Sequence, residues 1–174
     1  MKILALDVAS STGWAHSEGD DVTMVYGLWK LYGDHGAKLR QLYGFVRESI
    51  DRYETEIIAV EASFFHQKHR ANAVKKIQQL APIQMVGSVM RIPVKEYAPA
   101  TIKKFITGNG QASKSEVMDA LARRYGIDIT DDNVADAIGV LKVAESGMPD
   151  LNERKALRRA KKQKKESHVE QSRN

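Results

Sequence analysis

Two short apolar segments of the chain each end on a single carboxylate. Residues 3–6 read Ile-Leu-Ala-Leu and lead into Asp7, and residues 57–60 read Ile-Ile-Ala-Val and lead into Glu61. Segments of this length and composition are typical of buried strands. Burying a lone carboxylate is costly unless a cation or a hydrogen-bond donor meets it. Asp7 therefore has two interpretations: it accepts hydrogen bonds from the Ser-Ser-Thr turn at residues 10–12, or it holds a metal ion or a phosphate-bound cation.

The repetition of this pattern favours the functional interpretation. Taken alone, an acid at the end of a strand, such as Glu61, is an ordinary surface residue. Here two buried-type strands terminate in a carboxylate at equivalent positions. Ligands of open α/β sheets collect at the carboxyl ends of parallel strands. We therefore expect Asp7 and Glu61 to lie close together.

A third acidic group begins the last apolar helix of the chain. Asp131 or Asp132 at the helix start is explained by N-capping alone. Asp136 is different, because it lies within an Ala/Val/Ile helix that can approach other elements closely. Asp132 and Asp136 are four residues apart, and Asn133 and Asp136 are three apart, so either pair shares a helical face. Asp136 is therefore the third carboxylate, after Asp7 and Glu61, that the sequence singles out.

The segment at residues 62–70 has the composition of a nucleic-acid contact loop. It mixes two phenylalanines with basic and polar residues, as stacking and phosphate-binding segments do. The candidates for DNA contact in it are Phe64, Lys68 and Arg70. A Phe in such a segment can equally pack into the core. His66 and His69 lack a Cys or carboxylate at the spacing that a metal site requires.

Three further lysines lie in two helices downstream of this segment. Lys103 and Lys104 fall in a short helix that Pro99 begins, and Lys114 falls in the first turn of a helix that Ser113 caps. A cation is electrostatically disfavoured at a helix start. Lys114 therefore indicates a nearby anion, although a solvated lysine also explains it.

Composition limits the classes of protein that the chain can belong to. At 174 residues it suits one domain, and it contains no cysteine, so disulfides and thiolate metal sites are excluded. It has no apolar run of membrane-spanning length and no secretory signal, so we expect a cytoplasmic protein. Nine Lys and Arg residues against four acids from Asp150 onward account for the whole net charge of +5. We predict one domain over residues 1–147 and a basic, disordered tail over residues 148–174, which could serve as a nucleic-acid arm.

The order of predicted elements is β-β-β-α-β-α-β-α. In this order and in its sequence motifs, the chain resembles the ribonuclease H-like fold and, more closely, the RuvC-type Holliday-junction resolvases. The resemblance covers most of residues 1–145. It rests on Leu6-Asp7 before a Ser/Thr-Gly turn, Val60-Glu61-Ala62-Ser63-Phe64, the segments 93–99 and 108–114, and Ala135-Asp136-Ala137. Each motif alone is weak, and their order and spacing together are specific.

The resemblance implies an α/β fold with a mixed five-stranded sheet, three antiparallel strands followed by two parallel ones, flanked by helices. It also implies a homodimeric endonuclease that uses Mg²⁺ or Mn²⁺, two ions per active site, and no nucleotide cofactor. Such an enzyme resolves four-way DNA junctions by paired nicks that leave 5′-phosphate and 3′-hydroxyl ends. It would work in the cytoplasm of a bacterium or a phage-infected cell.

The resemblance also assigns roles to individual residues. Asp7, Glu61 and Asp136 match metal ligands, Phe64 matches a residue that stacks at the opened junction, and Lys103 and Lys114 match phosphate contacts. The chain departs from the family at Asn133, where the family has Asp or His three residues before its last catalytic acid. Asp132, adjacent to that position, is therefore included as a candidate catalytic and metal-binding residue.

Three other interpretations remain. Actin-like ATPases and sugar kinases begin with a similar strand, acid and hairpin, but they need two lobes and a much longer chain. Because Asn133 stands where the family has Asp or His, a second interpretation is a branched-DNA-binding module without catalytic activity. A nuclease of broader range would cut flaps and forks as well as four-way junctions. In each nuclease interpretation cleavage is direct hydrolysis, since no Ser or Cys nucleophile stands beside a base.

Overall fold

A computed structural model describes residues 1–9, 11–19, 23–62 and 70–171. The strands are β1 (Ile3–Asp7), β2 (Ser11–Ser17), β3 (Met24–Lys30), β4 (Ile57–Glu61) and β5 (Val94–Tyr97). The helices are α1 (His35–Tyr53), α2 (Arg70–Met90), α3 (Pro99–Thr107), α4 (Lys114–Tyr125), α5 (Asp132–Glu145) and α6 (Leu151–Gln171). In this part of the chain no helix is long and apolar enough to cross a membrane.

The five strands form one sheet in the order β3-β2-β1-β4-β5. β1 pairs antiparallel with β2, and β2 antiparallel with β3. β4 joins the other side of β1 in parallel, and β5 follows in parallel with β4. The predicted fold class, a mixed sheet of three antiparallel strands and two parallel strands, is confirmed.

Helices cover both faces of the sheet because β1 is apolar on both sides. Leu4 and Leu6 point to one face and pack with α1 and α2, whereas Ile3 and Ala5 point to the other face and pack with α3, α4 and α5. α5 is buried along nearly its whole length and crosses β1 and β2. The central strand, which ends on Asp7, therefore packs against helices on both faces and pairs with a strand on each side.

Local capping explains where α1 and α4 begin. Asp34 accepts a hydrogen bond from the backbone N–H of Ala37 at 2.7 Å and starts α1. Ser113 and Glu116 form the predicted capping box at the start of α4. These caps satisfy backbone N–H groups that would otherwise lack partners in the first turn.

The C-terminal segment differs from the prediction. The sequence predicts a disordered tail from residue 148, but residues 151–171 form α6. Lys, Arg, Gln, Glu and Ala are good helix formers, and charge alone does not prevent them from forming a helix. Asp150 also caps the helix, accepting hydrogen bonds from the backbone N–H groups of Asn152 and Glu153 at 2.9 and 2.8 Å. The domain boundary after residue 147 stays a prediction.

One buried histidine makes the fold sensitive to acid. The imidazole of His16 on β2 lies fully inside the protein, stacks on Tyr53 at 4.7 Å and has its Nε2 within 3.1 Å of the Thr55 hydroxyl. Its Nδ1 has no hydrogen-bond partner within the described ranges. Burial, followed by the charge of Lys2, lowers the pKa of His16 from 6.5 to about 4.

We expect the wild type to lose stability relative to a His16→Phe variant as pH falls from about 6.5 to about 4. The unfolded chain takes up this proton at a higher pH than the folded one, so acidification in that window favours unfolding. The loss should reach about 1–3 kcal/mol, at about 1.4 kcal/mol for each pKa unit after allowance for solvent screening. Urea unfolding of both proteins across this range measures it. Parallel stability curves would show that His16 does not titrate in this way.

Candidate active site

The two strand-end acids lie on neighbouring strands at one edge of the sheet. β1 and β4 are parallel with Leu6 opposite Val60, so the next residues along these strands are Asp7 and Glu61. Asp7 is 6% exposed, and Glu61 is half-buried. Tyr97 on β5 lies opposite Glu61. The structure therefore brings Asp7 and Glu61 together at the carboxyl ends of parallel strands, as predicted.

The turn after β1 does not depend on Asp7 alone. The Thr12 hydroxyl donates a hydrogen bond to the carbonyl oxygen of Ala9 at 2.7 Å, and Thr12 is fully buried. This bond links the Thr12 side chain to the backbone of the turn.

A glycine on β2 allows α5 to approach the sheet. Gly13 lies opposite Asp7, and a Cβ atom on Gly13 would fall 1.9 Å from the carbonyl oxygen of Asn133. Only a hydrogen atom fits between the strand and the helix. Asp131 caps α5, accepting hydrogen bonds from the N–H groups of Asn133 and Val134 at 3.0 and 3.1 Å. The first turn of α5 is thereby fixed next to the end of β1.

Asp136 lies one turn after Asp132 on α5, and its electrostatics connect it to the strand-end acids. Burial, followed by the charges of Asp7 and Glu61, raises the pKa of Asp136 from 3.8 to about 7. Lys114 acts in the opposite direction. Because like charges shift a pKa appreciably only at short range, Asp136 lies near Asp7 and Glu61.

Lys114 pairs with the fourth candidate acid. Its ammonium group donates a hydrogen bond to the carboxylate of Asp132 across the space between α4 and α5. This bond raises the pKa of Lys114 and lowers the pKa of Asp132. Asp132 is thus an anion beside the cation at the start of α4. Both side chains are substantially exposed, so we expect the pair to add little stability.

The donor chemistry of this cluster fits a divalent cation. Carboxylate oxygens are the ligands that Mg²⁺ and Mn²⁺ prefer. Burial raises the pKa of Asp136 most, and the charges of Asp7 and Glu61 add a repulsion that a bound cation would relieve. Within the described ranges no three His, Cys, Asp or Glu side chains already converge as a metal-binding set. The acids are close, and the Asp132 carboxylate is directed to Lys114.

The other predicted DNA-contact lysines lie on α3, near the start of α4 and the start of α6. The Lys103 ammonium group donates a hydrogen bond to the carbonyl oxygen of Ala112 at 2.7 Å, two residues before Lys114. Lys104 is exposed, on the α3 side of a groove of about 690 Å³ that Arg154 of α6 also lines. A basic path therefore runs from the start of α4 along α3 to Arg154 of α6.

Most of the predicted contact loop, residues 63–69, lies outside the residues that the structure describes. Phe64 and Lys68 lie outside the described residues. Arg70 begins α2, but its side chain is not among those described. The DNA-contact roles of all three stay predictions.

Comparison with known proteins adds a decisive observation. The family profile described as "Crossover junction endodeoxyribonuclease RuvC" matches residues 16–144, well over half of the chain. The chain belongs to the RuvC family. The matched range holds Glu61 and Asp136, while Asp7 precedes it. The opening strand is therefore placed by the structure rather than by the profile.

Individual relatives of the RuvC family agree with this assignment. The Bacteroides fragilis protein named crossover junction endodeoxyribonuclease RuvC is 40% identical over 95 residues, 54% of this chain and 50% of that protein. The Prochlorococcus marinus subsp. pastoris protein of the same name is 33% identical over 118 residues, 64% of this chain and 73% of that protein. The chain thus spans about half of the first relative and more of the second.

Solved RuvC structures share the fold. Thermus thermophilus RuvC superposes with a TM-score of 0.70 at 20% identity, covering 86% of this chain and 99% of that one. The same protein in complex with a Holliday junction substrate gives 0.69 at 21% identity, covering 80% and 90%. The yeast mitochondrial Holliday junction resolvase gives 0.58 at 9% identity, covering 79% and 75%. The ribonuclease H-like architecture is therefore confirmed.

Sequence reasoning missed two residues that shape this RuvC-family site. The sequence pattern assigns Gly13 to a turn, yet this glycine sets how closely α5 packs on the sheet. The pattern marks Tyr97 as an ordinary strand residue, yet it is 1% exposed and lies opposite Glu61. A glycine inside a strand-forming segment signals close backbone approach and could have identified the first. No signal in one sequence identifies the second.

Proposed function

We propose that this chain is a divalent-metal-dependent endodeoxyribonuclease that resolves four-way DNA junctions by paired nicks. The supporting observation is the cluster of Asp7, Glu61 and Asp136 at one sheet edge of a RuvC-family fold. Its products carry 5′-phosphate and 3′-hydroxyl ends. The protein would act in DNA recombination and repair, in the cytoplasm of a bacterium or of a phage-infected cell.

The carboxylates of Asp7, Glu61 and Asp136 would hold the metal, with Mg²⁺ or Mn²⁺ as the ions and Asp132 or Asn133 as the further ligand. When bound, two such ions supply an activated water and stabilisation of the leaving oxygen. Asp136 is half-buried, so its charge would be poorly solvated until a cation binds. The hydrogen bond between Lys114 and Asp132 must break before the Asp132 carboxylate can bind a metal ion.

The basic residues around the acids would position the DNA. The hydrogen bond to Asp132, together with the charges of Asp136 and Asp7, raises the pKa of Lys114, so Lys114 lies near these acids. A phosphate bound by Lys114 would therefore lie next to them. Lys103 and Lys104 continue this surface along α3. Phosphate contacts of this kind fix the register of DNA without reading its sequence. Phe64, Lys68 and Arg70 would contact the opened junction from the neighbouring loop.

A cutting assay on labelled DNA tests the proposed function. The substrates are a mobile four-way junction, a flap and a plain duplex, each with Mg²⁺ and with EDTA. We expect symmetric, ligatable nicks in opposite strands of the junction, only with Mg²⁺, and little cutting of the duplex. Preferential cutting of the flap would instead identify a debranching nuclease. Junction binding without cutting would identify a DNA-binding module.

We also propose that the chain acts as a homodimer, with a second copy seated on α2. The buried side of α2 packs into the core through Ile83 and Val86. Its other side carries large exposed apolar residues, with Met85 57% and Val89 66% exposed. Val74 and Ile77, three turns and two turns before Met85, extend the same helical face.

A second copy is the occupant that the charge distribution favours. Residues 1–149 contain equal numbers of basic and acidic residues, so two copies do not repel each other through this domain. Each chain supplies one acid cluster, whereas paired nicks need two. A two-fold interface on α2 would provide both clusters, because the same patch of each copy meets the other.

A Val89→Glu variant should be monomeric and should cut the two strands of a junction independently. The added carboxylate would be buried at the interface without a partner, which prevents association. Light scattering after size-exclusion chromatography measures the mass. An Ala122→Glu variant on α4, at an exposed position on the opposite face of the sheet, should remain dimeric. A dimeric Val89→Glu protein, or a monomeric wild type, would contradict this interface.

A further inference from the structure

α6 is anchored at the active-site edge of the sheet. Asp150, 5% exposed, caps the helix, and Glu153 pairs with Lys95 of β5 at 3.3 Å. Burial, followed by the charges of Asp150 and Glu153, raises the pKa of Tyr97 to about 12. Tyr97 lies directly opposite Glu61. The first turn of α6 is therefore one strand away from the acid cluster.

A second contact fixes α6 against α3. The Arg154 guanidinium donates a hydrogen bond to the Thr101 hydroxyl at 2.8 Å. Arg154 and Lys104 lie on the same groove of about 690 Å³, together with the ring of Phe105 and the side chain of Met148. Two basic side chains from different helices thus meet in one open groove at the root of α6.

Beyond this root, α6 carries its cations in rows along one side. Positions 154, 158 and 161 follow one another at helical spacing, and positions 155, 159 and 162 form the adjacent row. The members with exposed side chains beyond the root are Lys155, Arg158, Arg159, Lys161 and Lys162. Glu153, in the first turn of α6, faces away from both rows and pairs with Lys95. The rows continue the basic path that runs from Lys114 through Lys103 and Lys104.

We propose that α6 is a rigid basic arm that holds one duplex arm of the substrate DNA as it leaves the active site. This rests on the proposed function. With 21 residues the helix is about 31 Å long, which corresponds to roughly nine phosphates of one strand. The contacts at the start of α6 fix the direction of the helix. Its cations are therefore held at fixed positions, unlike those of a flexible tail.

The test separates charge from rigidity. One variant removes four charges, Arg158→Gln, Arg159→Gln, Lys161→Gln and Lys162→Gln. A second, Ala160→Pro, keeps every charge and breaks the helix, since proline costs about 3 kcal/mol inside one. Ala160→Gln keeps both the charges and the helix. Each full-length protein is titrated, in EDTA to prevent cutting, with four-way junctions whose arms are shorter or longer than α6.

For the long-armed junction we expect both the charge-removal variant and Ala160→Pro to bind at least tenfold more weakly than wild type. The slope of log affinity against log salt should flatten by about 0.9 for each phosphate that a variant no longer neutralises. Ala160→Gln should match wild type, and the short-armed junction should bind all four proteins equally. Unchanged melting temperatures would confirm that the domain remains folded.

The remaining outcomes overturn the proposal in distinguishable ways. If Ala160→Pro binds long arms like wild type while charge removal weakens binding, α6 acts as a flexible tail. If neither variant changes binding, α6 does not hold DNA, and an acidic partner becomes the alternative. Either result leaves the proposed function intact as long as wild type with Mg²⁺ still cuts the junction. Loss of that cutting would refute the proposed function instead.

Discussion

Asp7→Asn and Glu61→Gln should each reduce junction cutting by at least about a hundredfold to a thousandfold while leaving junction binding close to wild type. Both acids lie at one sheet edge and act on Asp136 through their charge. Ligands of a catalytic metal stabilise charge mainly in the transition state, whereas phosphate contacts position the DNA. Single-turnover cutting and filter binding on the same junction separate the two effects.

The control for these variants is another isosteric acid-to-amide change. Asp51 is exposed on α1, on the other face of the sheet from α5. Asp51→Asn should cut at the wild-type rate. If Asp7→Asn or Glu61→Gln cuts within about tenfold of wild type, a difference of about 1.4 kcal/mol, the assignment of these acids is wrong.

The second large effect is expected at a residue without a side chain. Gly13→Ala places a methyl group within 1.9 Å of the Asn133 carbonyl oxygen and 2.8 Å of the Val134 nitrogen. Both are backbone atoms of a buried helix, so α5 must move. We expect a loss of about 3 kcal/mol in the free energy of unfolding. Cutting should fall about a hundredfold, because small displacements of catalytic groups are costly.

A glycine elsewhere in the chain provides the matched control. Gly44 lies exposed within α1, and a Cβ atom there would meet nothing within 4 Å. Gly44→Ala should therefore stabilise the protein by about 0.5–1 kcal/mol and leave cutting unchanged. Urea unfolding and the junction assay measure both variants. Equal stability changes for the two glycines would contradict the close packing of α5 on β2.

The fold was predictable because its signals are local. The apolar runs before Asp7 and Glu61 have strand length, the helix caps at Ser113 and Asp131 lie where helices begin, and the spacing of elements matches a known architecture. Their carboxyl-end positions also predicted that Asp7 and Glu61 would meet. These features depend on periodicity and on backbone hydrogen bonding, which a single sequence records directly.

The remaining features depend on contacts between distant parts of the chain. The pairing of Lys114 with Asp132 joins two helices, and the sequence indicated an anion near Lys114 without identifying it. The high charge density of α6 predicts disorder, but helix propensity and a cap at Asp150 outweigh that repulsion. The approach of α5 to Gly13 is likewise a matter of packing, which no local pattern specifies.

Binding of Mn²⁺ is the measurement that tests the acid cluster most directly, since it does not depend on DNA or on cutting. The paramagnetic resonance signal of free Mn²⁺ is followed as wild type, Asp136→Asn, Glu61→Gln and Asp51→Asn are added. We predict that wild type and Asp51→Asn bind the ion alike, and that Asp136→Asn and Glu61→Gln bind at least tenfold more weakly. Equal Mn²⁺ affinity in all four proteins would contradict a metal centre formed by these carboxylates.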